Sequence, residues 1–348
     1  MKPVKIAQIS ATHDHALPTF RTMRRLKDVF EVVGFAESST VGVAGNPVLK
    51  PEADYDQVPR YTVEELLEMP DLEAVAIECE EENATAIAQR FAEKGIAIHL
   101  DKPGSQNIES FEKLIATCRE KNVPFHQGYM YRYNPSVQHL LQMIKNGELG
   151  EIYAVEAHMD CWHPIKKRQW LGKHKGGMMY FLGCHLIDMI LQIQGEPEEI
   201  IPMNMATGLD GVTAEDYGFA VLKYKNGISF AKTCAAEVDG YLRRQLVVCG
   251  SKGTYVIQPW EKSAVKDPKD PDQRYYQVSP SRVALINDDM RSWSTDHSVP
   301  LEFEPADRYE RMMRSFAEII RGAENPYSYD YELKVFHAVM KASGYTGE

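Results

Sequence analysis

Several things are missing from this 348-residue sequence. Its six cysteines (Cys79, Cys118, Cys161, Cys184, Cys234 and Cys249) include no Cys-x-x-Cys pair. Most sit inside apolar runs, which reads as small buried hydrophobes in a reducing compartment. No apolar run is long enough to cross a bilayer, and Met1-Lys2-Pro3 leads straight into a short strand with no signal-peptide pattern. A cytoplasmic protein with no membrane partner is expected. There is no basic cluster, and Lys+Arg of 39 against Asp+Glu of 50 gives a net charge of −11. A nucleic-acid partner is therefore not expected. Repeats and low-complexity tracts are lacking too. Glycine is missing where a dinucleotide loop would need it. After the strand VKIAQIS, the three glycine slots of a G-x-G-x-x-G fingerprint read Ser10, Thr12 and His15.

What is present is a change of grammar partway along the chain. Strand patterns at 4–10, 30–37, 72–79, 96–101 and 123–130 alternate with helix patterns at 17–29, 62–69, 83–95 and 107–122. Thr62 with Glu65 forms a capping-box pattern, and Gly95 ends its helix. Single helices between strands predict a doubly wound parallel sheet, a Rossmann-type α/β domain over 1–126. From 151 onward, strands at 151–159, 216–224, 228–236, 243–250 and 253–257 follow without regular helices, and Asn226-Gly227 marks a hairpin. Helices at 178–195, 309–322 and 331–344 complete an α+β domain over 127–348 with a mostly antiparallel open sheet. Residues 259–277 read as a surface loop.

Three stretches in order resemble the glucose–fructose oxidoreductase/inositol dehydrogenase (Gfo/Idh/MocA) family. They are IAIHLDKPGSQNIESFEKLIATCREKNVPFHQGYMYRYNP, GGMMYFLGCHLIDMILQIQG, and LVVCGSKGTYVI followed by a Tyr-rich terminal helix pair. The first is similar to the family's strand–EKP–helix–strand–RYNP run, with Asp101 where Glu is usual. The resemblance implies an NAD(P)-dependent sugar or polyol dehydrogenase. Lys102, at the carboxyl end of a buried parallel strand where open α/β sheets place ligands, is the implied acid/base residue. His185 and Asp188 share one helix face at i and i+3 after Gly176-Gly177. His185 is expected to take the hydroxyl proton and Asp188 to orient its ring. The family pattern has an aspartate four residues before that histidine, and here the position is Phe181.

For the cofactor, Ser10, Thr12, His13 and His15 offer donors to a diphosphate at a helix N-terminus. Glu37, ending the second strand, is placed to accept from a ribose 2′-hydroxyl and to repel a 2′-phosphate, so NAD is expected over NADP. Glu78, Glu80, Glu81 and Glu82 stand where the family has a Thr-Pro-Asn-like loop. Glu78 is counted with the cofactor residues; the four carboxylates read either as solvated or favouring the next helix N-terminus, or as partly facing the cofactor cleft, where they would bond ribose or polyol hydroxyls and repel phosphates. Tyr129, Tyr180 and Trp162 are expected at the substrate, with Arg132 bracing; Lys166, Lys167 and Arg168 read as a solvated basic run. His13-x-His15 with Glu78 or Glu80 also admits a zinc or iron site and a metal-dependent hydrolase, but no metal is expected. Two further readings stay open: a non-catalytic nucleotide- or sugar-binding member of the fold, and an NAD-dependent glycosidase. A homodimer or homotetramer through the open sheet face is expected.

Overall fold

Alternating apolar runs and amphipathic segments in the first third fold as their periods dictate. The structure, a computed structural model, describes residues 2–37, 52–264, 276–287 and 296–345; most of the expected loop at 259–277 lies outside them. The first unit begins β1 (Val4–Ile9), α1 (Ala16–Arg25), β2 (Phe30–Ala36), α2 (Glu52–Tyr55) and β3 (Arg60–Tyr61). It continues through α3 (Val63–Leu67), β4 (Ala74–Ile77), α4 (Glu81–Glu93), β5 (Ala97–Leu100), α5 (Ile108–Lys121) and β6 (Phe125–Gln127).

All six strands pair in parallel in the order β3-β2-β1-β4-β5-β6, the doubly wound sheet expected. β4 and β5 are buried at every position because helices cover both faces. Each fully buried Ile or Leu there contributes about 1.5–3 kcal/mol. The capping box forms as read: Glu65 N–H donates to Thr62 Oγ1 at 3.1 Å, and Thr62 N–H to the Glu65 carboxylate at 2.7 Å. This unit comprises Met1–Tyr129 and also Tyr309–His337, so it is built from two chain segments. The later segment supplies a helix, Glu310–Ile320, and part of another, Tyr329–Ala342. Phe336 from it stacks on Phe111 with ring centroids 4.1 Å apart.

The second unit, Met130–Arg308 with Ala338–Glu348, opens with α6 (Pro135–Lys145), β7 (Ile152–His158) and α7 (Ile165–Trp170). A π-helical turn, Met179–Gly183, then runs into α8 (Cys184–Gln194). Its other main strands are β8 (Glu199–Pro202), β9 (Tyr217–Tyr224), β10 (Gly227–Cys234), β11 (Gln245–Gly250) and β12 (Gly253–Ile257). Two short strands, Ser281–Leu285 and Val299–Leu301, complete a sheet of eight on one edge. Every pairing in it is antiparallel except β7–β10.

The hairpin between β9 and β10 forms one residue earlier than expected. Gly227 pairs with Tyr224, leaving Lys225-Asn226 as the turn. A Cβ at Gly227 would lie 1.9 Å from the Tyr153 carbonyl oxygen, so this glycine serves a close backbone approach and not the turn. The basic run is also corrected. Lys167 and Arg168 lie on α7 and are buried. Arg168 meets Asp216 at 3.3 Å and also Asp210, while the Lys167 ammonium sits 4.3 Å over Trp170 and 4.4 Å over Phe181. Charge pairing and cation–π contact satisfy groups that sequence alone assigns to water.

Candidate functional site

In the first unit, β1, β4 and β5 are neighbours and end on one edge of the sheet. The residues leaving them converge. Ser10 follows β1 with φ 68°, so it keeps the left-handed backbone that a glycine would supply for the tight turn. Its hydroxyl lies 3.2 Å from that of Thr12, whose own hydroxyl donates to the Glu78 carbonyl at 3.4 Å. His13 N–H donates to the same carbonyl at 3.1 Å. The loop is thereby laced to the end of β4, with Ser10, Thr12 and His13 buried.

Asp101, directly after β5, is the centre of the cluster. One carboxylate oxygen pairs with His13 Nδ1, and the other lies 3.1 Å from His15 Nδ1 and accepts the Lys102 backbone N–H at 2.8 Å. The two imidazoles stand 5.0 Å apart, and Glu81 lies 3.8 Å from His13 Nε2. Close packing from β6 holds Asp101 in place: a Cβ at Gly128 would come within 2.6 Å of its Oδ1. Lys102 is 1 % exposed. Beneath these, His99 and His126 occupy matching positions on β5 and β6 with their Nδ1 atoms 2.8 Å apart, and His99 Nε2 is 3.9 Å from Glu78.

The electrostatics follow from burial. Burial takes His15 down to about 4 against the pull of Asp101, and His99 down to about 4 as well, so both rings are neutral near pH 7. Burial raises Asp101, but the His13 and His15 donors outweigh it and hold the carboxyl well below the usual range. Glu78 moves the other way: burial first, then the Asp101 charge, holds it well above the ordinary carboxylate range. Glu37 follows β2 and is exposed, and Tyr129, the last residue of the first unit's opening chain segment, is buried.

In the second unit His185 sits at the start of α8, directly after the π-helical turn, 2 % exposed. Its ring meets Tyr131 edge-on at 5.0 Å, and the Tyr131 hydroxyl donates to Glu261 at 2.9 Å. Asp188 forms a two-pronged pair with Arg132, at 3.0 Å to Nε and 2.9 Å to Nη2, and accepts from Gln192 at 2.9 Å. Tyr180 is fully buried, stacked on His174 at 5.2 Å. Phe181 is buried edge-on to Trp170, and Trp162 is 62 % exposed. The space beside Gly177 is taken by the chain itself, since a Cβ there would lie 2.1 Å from the Glu215 carbonyl oxygen.

Sequence reasoning left Asp101, His99 and His126 out of the site. The signal was weak but present: a polar His-x-Asp alternation in the otherwise apolar strand AIHLD, and a second histidine in the next strand.

This frame and loop define a class, and comparison with known proteins bears it out. Residues 11–129 match the model of the oxidoreductase family with an NAD-binding Rossmann fold, and residues 137–256 match the GFO/IDH/MocA C-terminal domain. The chain belongs to the Gfo/Idh/MocA oxidoreductases, whose Rossmann domain supports a nicotinamide cofactor. It is 25% identical over 214 residues to the uncharacterized oxidoreductase YhhX of Escherichia coli, covering 60% of each chain. To trans-1,2-dihydrobenzene-1,2-diol dehydrogenase of Bos taurus it is 25% identical over 196 residues, covering 55% of this chain and 56% of that one. The chain thus spans less than two thirds of the length of these two relatives. A crystal structure of a probable oxidoreductase yhhX superposes with a TM-score of 0.77 at 20% identity, covering 99% of this chain and 97% of that chain. Among the described residues no helix is long and apolar enough to cross a membrane.

Proposed function

We propose that the protein transfers a hydride between NAD and a secondary alcohol or ketone of a sugar, inositol or related polyol. The observation that carries this is Lys102, a buried lysine at the carboxyl end of β5 in a family oxidoreductase. The relative from Bos taurus is named for a substrate with two adjacent secondary alcohols, which supports this substrate class.

The residues fit a dinucleotide. Ser10 keeps the left-handed turn, and α1 begins with no acidic residue in its first turn and no side-chain cap. Ala16 N–H is held by the His13 carbonyl and Pro18 has none, so a phosphate there would rest on the Leu17 N–H and the helix dipole. Exposed Glu37 offers its carboxylate to ribose hydroxyls and disfavours a 2′-phosphate, which supports NAD over NADP. When bound, the nicotinamide accepts or supplies the hydride. Lys102 moves the matching proton at Nζ, and His185 is the second candidate for proton transfer at its ring nitrogen. The Arg132–Asp188 pair anchors the helix that carries His185. The half-buried Val221, Phe230, Val247 and Val256 lie in one row across the eight-stranded sheet, with Glu156 of β7 at its centre, and this mostly apolar row supports a homodimer or homotetramer through that face. The free cysteines, five of them buried, support a cytoplasmic location.

The test is calorimetric titration of the purified chain with NAD⁺, NADH and NADPH, then a polyol screen with Lys102→Ala as blank. We expect NAD(H) binding, and turnover that Lys102→Ala lowers by about 100-fold or more, as loss of a general acid–base does. Failure of NAD(H) to bind at millimolar concentration would refute the reading. Binding without turnover would favour a non-catalytic member of the fold, and glycoside cleavage without net NADH the glycosidase.

A further inference from the structure

We propose that His13, His15 and Asp101 form a binding site for a first-row divalent cation, zinc being the probe of choice. The site rests on geometry and does not depend on the dehydrogenase reading. One ligand atom from each residue lies within 4.8 Å of the other two. Around a tetrahedral zinc such atoms stand about 3.3 Å apart, given Zn–N and Zn–O lengths of about 2.0–2.2 Å. Small side-chain rotations therefore close the site. Two histidines and one carboxylate on one side of an ion, with positions left open, is a ligand set that zinc and iron(II) both accept.

Three further observations favour a cation. The His13 and Asp101 side chains are 2% and 4% exposed while His15 is 15% exposed, so the ligands are held on a buried floor with one side toward the surface. Glu81 lies 3.8 Å from His13 Nε2, where a carboxylate commonly steadies a metal-bound histidine through its other ring nitrogen. The Lys102 backbone N–H fixes one Asp101 oxygen, which pre-sets the carboxylate. The Lys102 charge opposes a cation, but the Asp101 and Glu81 carboxylates outnumber it. The ligand differs from that weighed in the sequence: Asp101, which is 86 residues from His15, takes the place of Glu78 or Glu80.

The experiment is titration of Zn²⁺ into the full chain after chelator dialysis, read by calorimetry and by metal analysis of the desalted protein. We expect one equivalent per chain. His15→Ala and Asp101→Asn should each weaken binding by at least about 100-fold, and Glu81→Gln by about 10-fold, the scale of outer-partner loss. His337→Ala, which removes a surface histidine paired with Glu112 at 2.9 Å, should change nothing. If Asp101→Asn does not fold, His15→Ala decides alone, because its ring is the most exposed of the three. No stoichiometric binding in the parent chain, or equal affinity in parent and His15→Ala, overturns the proposal and leaves a hydrogen-bonded triad.

Discussion

Asp188, expected from the sequence to orient the His185 ring, forms a two-pronged buried pair with Arg132, and its removal makes a quantitative test. Its carboxylate is 0% and the Arg132 side chain 1% exposed, joined at 2.9 and 3.0 Å. Replacing Asp188 by Leu leaves a guanidinium buried against an apolar side chain. Breaking one half of such a pair costs about 3–5 kcal/mol, because the surviving charge has lost both water and partner. For a unit of this size that corresponds to a fall in Tm of roughly 6–20 °C. The double variant Asp188→Leu/Arg132→Met removes both charges together and should recover most of the loss, since a well-packed apolar replacement of a buried pair is often neutral. Urea unfolding of the parent, both single variants and the double gives the coupling energy directly. Single-variant losses below about 1 kcal/mol, or a double no milder than the singles, would refute the view that this pair holds α8 in place.

Backbone crowding and buried charge lead to two further expectations. Gly177→Ala places a methyl 2.1 Å from the Glu215 carbonyl oxygen at φ 42°, whereas Gly195→Ala, at φ 76°, meets nothing within 4 Å. Urea midpoints should show Gly195→Ala losing about 1–2 kcal/mol for the left-handed backbone alone, and Gly177→Ala losing clearly more; equal losses would contradict the packing. His158 is lowered to about 4 by burial first and then by the Lys232 and Arg243 charges. The unfolded chain, with an ordinary histidine near 6.5, then binds more protons than the native one between those values. Stability should therefore fall as pH drops from about 6.5 to about 4. His15 and His99 act over the same window, so His158→Gln should flatten the profile only in part. An unchanged slope would show that His158 is protonated alike in both states.

The two sheet types were legible in the sequence because they depend on period and on local punctuation, whereas the strand orders were not read from it. Runs such as LEAVAIE and IAIHL are apolar without alternation because both of their faces are covered, and the Thr62 cap and the Gly95 stop act within a few residues. What was illegible depends on partners far along the chain. Arg168 is buried because Asp216, 48 residues on, meets it, and nothing near Lys166 announces this. Gly227 looks like a turn glycine until Tyr153 lies against it.

The same limit hid the centre of the candidate site. In the sequence, the missing glycines at the first loop and the Asp-for-Glu change before Lys102 read as two separate departures from the family pattern. In the structure they meet, because His13 and His15 both reach Asp101 across strands that β4 brings into order. Ser10 retains the glycine-like backbone, so the turn itself survives while imidazoles line it. A loop lined by two histidines needs an acceptor where they point, and the shorter Asp101 carboxylate, fixed by its neighbour's N–H, supplies it. The two departures are therefore one rearrangement, and a substitution on either side should be judged by what it does to the other.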